Sequence, residues 1–509
     1  MKDQPVKINL FHLYPNVLRI NDYRLPFLLR HTHNAFLAVV MRGFRAAKMT
    51  CRMPGGIQGP LQPLREIGAE CLSRTQTRMI RNSGITFEKT KKRTPRLGGA
   101  IQGGEILSDG DRLVVAYPFV GDEVGGSHIS AVGLILALDR STFEPLIVLH
   151  RTGEALENYL RERGLNFVVA PEVAVMSPRR SAGVAGNLSR SLDYIITTAR
   201  LRRFLRENRV DIVHTNDGQI HATWALAARL SGARLLWHHR GDPNAFGVNT
   251  VAPVLANHIV TVSRFVQPTR PILPVSHKLS VLHSPFDHPA LLPDRDACRS
   301  EFIREFDLAS ETRFVGYVGS LIDRKRPVRF VEAVHAFLER FPDFPLVGLV
   351  FGEPSPNLPN PEPAMLARAV ELGVEDRIKM MGFRAPVEPC IGALDALLVP
   401  AINEPFGRTL IEAMLLETPV IATRHGGNVE AILDGITGFL VEPERPEAFV
   451  DPLEKLLMKP GEHRRISSAA RANALTKYGT DTHVQGISQL YGRMAGRRSR
   501  NAGIRTTAL

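Results

Sequence analysis

Residues 396–441 constrain this chain more than any other stretch. An apolar run at 396–399 reads as a strand buried on both faces, and Pro400 ends it. A polar loop with Asn403, Pro405 and Gly407 follows. From Arg408 the periodicity turns helical, with Leu410, Ile411, Met414 and Leu415 on one stripe. Pro419 stops the helix, because the residue before a proline is pushed out of helical space. Residues 420–423 then read as the next strand. A strand–loop–helix–strand unit puts its loop where open α/β sheets bind ligands.

Two carboxylates flank that loop, Glu404 within it and Glu412 one turn into the helix. Between them a helix N-terminus is entered through Gly407, so free amides can meet an anion without a side chain in the way. The acids themselves are suited to accepting hydrogen bonds from hydroxyls. Phosphate in the middle and hydroxyl-bearing rings at both ends describe a nucleotide-sugar.

The segment resembles the Glu-x7-Glu signature of family 4 retaining glycosyltransferases, which have the GT-B fold. The likeness rests on Glu404 and Glu412, the Pro405-Phe406-Gly407 between them, Glu412-Ala413-Met414, the Pro419-Val420 strand start, Gly426-Gly427, Glu430 and Asp434-Gly435. It implies an α/β chain of two Rossmann-like domains facing across a cleft. The expected divisions are a basic extension over 1–110, an N-terminal acceptor domain over 111–285 and a C-terminal nucleotide-sugar donor domain over 286–475. A crossover helix and tail over 476–509 complete the chain.

Charge supports that partition. The chain of 509 residues carries +13, yet residues 1–110 hold 18 Lys plus Arg against 7 Asp plus Glu, which leaves only +2 for the rest. The catalytic body therefore has no basic stripe with interleaved aromatics, and no nucleic-acid partner is expected. The extension, with a partly amphipathic segment at 25–40 and a basic cluster at 89–96, suits contact with an anionic membrane surface. The plainer expectation is a poorly ordered tail or a start codon placed too far upstream. Cys51, Cys71, Cys298 and Cys390 form no Cys-x2-Cys pair, which argues against a zinc site or disulfide framework. With no run of 18 apolar residues and no signal-peptide pattern, the expected location is cytoplasmic, with peripheral contact at the inner membrane face.

In chain order, residues 113–117 read as the first strand, followed by Gly125-Gly126 and a helix-period run at 129–138. In the family such glycines let the backbone approach a phosphate. Residues 146–149, 212–214, 235–240 and 260–263 read as further strands. The resemblance assigns a histidine near the reacting sugar to the end of the 235–240 strand, and His238 and His239 fit it equally. Residues 281–287 mark the crossing between domains, with Ser284-Pro285 where relatives carry Asn-Gly.

The second domain opens at 314–320 and continues into Arg324-Lys325-Arg326. By resemblance Lys325 holds the donor diphosphate. Ser320 stands where the family has arginine, so Arg324, Arg326 or Arg408 is expected to supply that charge. Gly382-Phe383 matches the turn that reads the nucleotide base. No Asp-x-Asp lies near a strand end, so no metal and no cofactor are expected, the nucleotide-sugar serving as co-substrate. The amides of Phe406, Gly407, Arg408 and Thr409, with Lys325, would take the part of a divalent ion. Glu404 would sit near the reacting carbon and Glu412 on the ribose. The implied reaction moves a sugar with retention, without metal, to a hydroxyl on a glycan, lipid-linked or small-molecule acceptor. Competing readings are a GT-B-like epimerase or hydrolase and a degenerate nucleotide-sugar-binding scaffold.

Overall fold

Thirteen parallel strands in two sheets carry the described residues, which in this computed structural model are 112–176, 184–286, 292–355 and 358–496. The expected extension over 1–110 lies outside them, as does Asp287. The first sheet has the order β3-β2-β1-β4-β5-β6-β7. Its strands are β1 (Leu113–Phe119), β2 (Phe143–Leu149), β3 (Val168–Val169), β4 (Ile212–Thr215), β5 (Arg234–His239), β6 (His258–Thr261) and β7 (Leu279–Val281). The second runs β10-β9-β8-β11-β12-β13. It comprises β8 (Arg313–Val318), β9 (Leu346–Phe351), β10 (Ile378–Gly382), β11 (Ala396–Val399), β12 (Val420–Thr423) and β13 (Phe439–Val441).

Helices cover both faces of each sheet, which is why the strands read as continuous apolar runs. All six residues of β9 are buried, as are all four of β4 and β12. Strand order reverses between β1 and β4 in one sheet and between β8 and β11 in the other. Ligands of doubly wound sheets bind at these reversals, beyond the strands' carboxyl ends. The loops there hold Gly125 and Asn216 on one side, and Lys325 and Glu404 on the other.

Strand β1 differs in extent from the sequence reading. Its pairing continues past Pro118 to Phe119, with β2 alone, because the β4 ladder touches only Val115 and Ala116. The helix Arg408–Leu415 ends before Pro419 as read, and buries Leu410, Ile411, Ala413, Met414 and Leu415. Each large side chain there contributes roughly 1.5–3 kcal/mol of burial.

The chain crosses twice between sheets. After β7 it passes through His283 to Phe286, and the Phe286 amide donates to the Tyr478 carbonyl at 3.0 Å. The last described helix, Thr480–Met494, then returns to the first sheet, where Ile487, Leu490 and Tyr491 join its core. Gly486 allows the approach: a Cβ there would lie 2.9 Å from a Leu282 methyl.

Tyr491 also enters a buried polar chain. Arg240 Nη2 can only donate, so His238 Nδ1, 3.4 Å away, is an acceptor. His214 Nε2, 3.0 Å from the same atom, must therefore carry a proton, leaving His214 Nδ1 to accept from Tyr491 Oη at 2.6 Å. Tyr117 Oη in turn donates to Tyr491 at 2.7 Å. Burial, with the Arg240 charge adding to it, holds both imidazoles well below their ordinary pKa, and burial raises both phenols. Every member is neutral, so the chain orients groups and does not exchange protons with solvent. Replacing Tyr491 by Phe strands the Tyr117 hydroxyl and His214 Nδ1. A loss of about 1–3 kcal/mol is expected by urea denaturation of the full chain, and a change under 0.5 kcal/mol would contradict the chain as drawn.

Candidate functional site

Three glycines shape the second-domain floor of the cleft. Gly319, directly after β8, has φ +144°, and a Cβ there would meet the Lys325 Nζ at 2.3 Å. The lysine ammonium thus lies folded over the strand end, with no ion pair among the described residues. Gly352 follows β9 with φ +142°, and its Cβ would sit 2.1 Å from the Gly319 carbonyl oxygen. Its amide donates to the Gly382 carbonyl at 2.9 Å. Only glycine permits both this backbone region and this approach. Gly382 itself (φ +64°) has open space where a Cβ would point, and Phe383 beside it is 71% exposed. Ser320 is exposed, its carbonyl taken by the Tyr317 hydroxyl at 3.1 Å.

The loop after β11 is held against that floor. The Ile402 amide donates to the Arg324 carbonyl at 3.0 Å, and Arg324 Nη1 pairs with Glu404. The Glu404 side chain is only 13% exposed. Glycines fix the loop from behind as well. A Cβ on Gly426 (φ +63°) would reach the Glu404 carbonyl oxygen at 2.7 Å, and one on Gly427 the Pro405 oxygen at 2.6 Å. The Gly427 amide donates to Glu404 O at 2.8 Å. The helix Arg408–Leu415 starts from Gly407 with no side-chain cap, so its first-turn amides are free for a ligand. Phe406 is buried and stacks on His283 at 4.6 Å, while Thr409 is half-buried.

The arginines of the basic turn are not a solvated cluster. Arg324 neutralises Glu404, and Arg326 turns away to Glu444 and the Pro443 carbonyl. Arg408 instead crosses the cleft. Its Nη2 binds Glu412 at 3.0 Å, its Nη1 donates to Ser130 Oγ at 3.0 Å and Pro285 O at 3.4 Å, and it lies over the Phe286 ring. A Cβ on Gly126 would strike the Arg408 Cδ at 2.8 Å, so this glycine makes room for a side chain of the other domain. Ser263 Oγ donating to Pro405 O at 2.6 Å, and Glu430 accepting the Arg264 and Phe265 amides at 3.0 Å, complete the contact between sheets.

On the first-domain wall the structure brings together groups that sequence reasoning left apart. Gly125 caps the helix Gly126–Ala137, and its amide donates to His128 Nδ1 at 3.1 Å. His238 lies wholly buried in the chain described above, and its Nε2 has no hydrogen-bond partner among the described residues. His239 is buried too, with Nε2 donating to the Asp242 carbonyl at 2.9 Å. The residue that reaches the interdomain groups is the next one, Arg240. Its Nη1 donates to Ser284 Oγ at 3.0 Å and its Nε to Asn216 Oδ1 at 3.4 Å. The two histidines that end β5 are both buried, and the residue after them, half-buried, carries the contact of the strand end with Ser284. The signal was a basic residue followed by Gly241 directly after a buried strand. Among the described residues no group of His, Cys, Asp or Glu is placed to hold a metal ion.

Residues 299–473, which include β8 to β13, match the model described as "Glycosyl transferases group 1". A D-inositol 3-phosphate glycosyltransferase of Corynebacterium glutamicum (strain R) is 36% identical over 217 residues, 42% of this chain and 51% of that protein. One of the same name from Actinosynnema mirum is 32% identical over 201 residues, 38% of this chain and 47% of that one. The chain thus spans about half the length of the curated relatives it matches. The crystal structure of Anabaena Alr3699/HepE in complex with UDP-glucose superposes with a TM-score of 0.62 at 20% identity. It covers 75% of this chain and 100% of that one. Sucrose-phosphate synthase from Thermosynechococcus elongatus gives a TM-score of 0.57 at 17% identity, over 76% and 100%. With two parallel sheets of this topology, the fold is the α/β GT-B arrangement of two domains.

Asp217 caps the helix Gly218–Ser231 at the cleft edge, accepting from the Ile220 amide. Burial, with Asp122 and Glu123 repelling it, raises its pKa from 3.8 to about 6. A carboxyl raised on folding favours the folded state when protonated, and that contribution disappears as pH rises through about 6. Asp217→Asn keeps the cap and removes the charge. It should therefore stabilise the protein by about 3 kcal/mol at pH 8 and leave it nearly unchanged at pH 4, read as paired denaturation midpoints. An equal effect at both pH values would contradict the assignment.

Proposed function

We propose that this chain is a retaining, metal-independent glycosyltransferase that moves a sugar from a nucleotide diphosphate donor to a hydroxyl acceptor. The observation that carries the reading is the meeting of an unpaired ammonium, Lys325 over Gly319, with the loop that leads into an uncapped helix N-terminus, a carboxylate on either side. The match of residues 299–473 to a glycosyltransferase model supports it, as do neighbours of the same fold solved with UDP and UDP-glucose.

Breaking the bond between the anomeric carbon and the diphosphate leaves negative charge on the departing oxygen. Lys325 and the amides of Phe406, Gly407, Arg408 and Thr409 are fixed beforehand to receive it. Glu404, steadied by Arg324, faces the ring near the reacting carbon. Glu412, steadied by Arg408, takes the ribose hydroxyls. Gly382 and Phe383 border the base, and Gly125 and Gly126 approach the phosphates from the other domain. The acceptor oxygen bonds to the anomeric carbon from the face the diphosphate leaves, and its proton passes to the departing phosphate oxygen. The acceptor, a glycan, lipid-linked or small molecule, enters along the first domain, and the product belongs to polysaccharide or glycolipid synthesis. The protein works in the cytoplasm, with its basic extension at the inner membrane face. Among the described residues no helix is long and apolar enough to cross a membrane.

A thermal-shift panel of nucleoside diphosphates identifies the base. Nucleotide release from the matching nucleotide-sugars, with and without acceptor, then reads turnover. Glu412→Ala should weaken donor binding at least tenfold. Glu404→Ala should leave binding within about threefold and cut kcat by about 10²-fold or more. Wild-type turnover in both variants would refute the roles given to them. Release of nucleotide without any glycoside product would make the enzyme a hydrolase.

A further inference from the structure

Arg240 carries a charge the fold leaves uncompensated. Its three contacts, Ser284 Oγ, Asn216 Oδ1 and His238 Nδ1, are all neutral, and no carboxylate pairs with it among the described residues. Burial, with the Arg408 charge adding to it, lowers its pKa to about 9. The two guanidiniums sit on consecutive residues of the crossing, Arg240 on Ser284 and Arg408 on Pro285. Glu412 pairs with Arg408 only, and no second carboxylate joins the pair of cations among the described residues. Holding like charges together in a half-buried site costs stability, and a fold bears that cost when an anion completes the set. Three of Arg240's five N–H groups are engaged, so the fork keeps donors for an oxyanion.

The donor's diphosphate already has its own cradle on the second domain, in Lys325, Gly319 and the helix Arg408–Leu415. Arg240 belongs to the opposite wall, and the chain from Tyr117 to His238 fixes its direction from behind. We propose that Arg240 and Arg408 form a second oxyanion seat in the cleft, which holds an acidic group of the acceptor, so that the acceptor is a phosphorylated or carboxylated molecule. This rests on the reading of the cleft as a glycosyl-transfer site, and names the acceptor class for it.

The test uses the full chain and inorganic phosphate as probe, at constant ionic strength. The protein is first saturated with the nucleoside diphosphate that stabilises it in the panel. Millimolar phosphate should then raise the Tm further. That rise should be lost in Arg240→Gln and largely kept in Arg240→Lys, while all three proteins bind the nucleoside diphosphate within twofold of one another. Without ligand, Arg240→Gln should melt at or above the wild-type temperature, because an uncompensated cation has been removed. Four results would overturn the seat. They are no phosphate effect on the nucleotide-saturated wild type, an equal effect in Arg240→Gln, a tenfold loss of nucleotide affinity in that variant, or a fall of several degrees in its ligand-free Tm. The third would hand the guanidinium to the donor diphosphate, and the fourth would make it structural. If no nucleoside diphosphate binds at all, the transferase reading fails, and phosphate titration of the free protein still tests the seat.

Discussion

The Arg408 side chain reaches from the first turn of a second-domain helix into the first domain, and the cleft takes its shape from that reach. The guanidinium is held by Glu412 on its own helix, by Ser130 and Pro285 across the gap, and by the face of Phe286. Its stem occupies the place a side chain at Gly126 would need. The helix N-terminus at Gly407, the glycine turn at Gly125 and the crossing at Ser284 are positioned relative to one another through this residue. A lysine could supply the charge, but not a planar fork that reaches partners from two separate nitrogens while its face lies over a ring.

Charge in the cleft is therefore mostly spoken for. Glu404 answers Arg324, and Glu412 answers Arg408. Among the described residues no carboxylate pairs with Lys325 or Arg240, one on each wall. A ligand that brings negative charge to both walls meets donors already in place, so little reorganisation accompanies binding. The pairs that are made hold each acid in a defined direction, which suits groups that must accept hydroxyl hydrogen bonds from two ends of one molecule.

Much of the fold was legible because parallel strands buried on both faces leave an unmistakable trace. Residues 396–399 and 420–423 appear in the structure with the bounds read from sequence, and the helix between them starts at Arg408 and ends ahead of Pro419. The short β3 and the long helix Val184–Glu207 were not read. The first is two residues, and the second has no single apolar face. At the site, sequence brought out Glu404, Lys325 and the glycines because they lie in the loops that follow strands, and Glu412 because it sits at a set spacing from Glu404 on the helix that follows. Pairings were beyond it: nothing local tells that Arg324 turns to Glu404 while Arg326 turns to Glu444, 118 residues away. Nor could residue spacing show that His238 and His239 face inward. For His238 that depends on Tyr491, which comes from the far end of the chain to meet His214, and for His239 on the Asp242 carbonyl.

The two passages of chain between the sheets lie side by side. Phe286 bridges to Gly479 and bonds to Tyr478, and the His283 carbonyl accepts from His483 Nδ1 at 2.7 Å. Strands coupled in this way cannot flex separately, so any swing of one lobe against the other must pivot about a single axis along that seam. Arg408, seated on Pro285 and Phe286 in that seam, reaches Ser130 on the other lobe, so such a rotation would load that contact. Entry and exit of ligands would then be gated at the rim, while the seam stays shut.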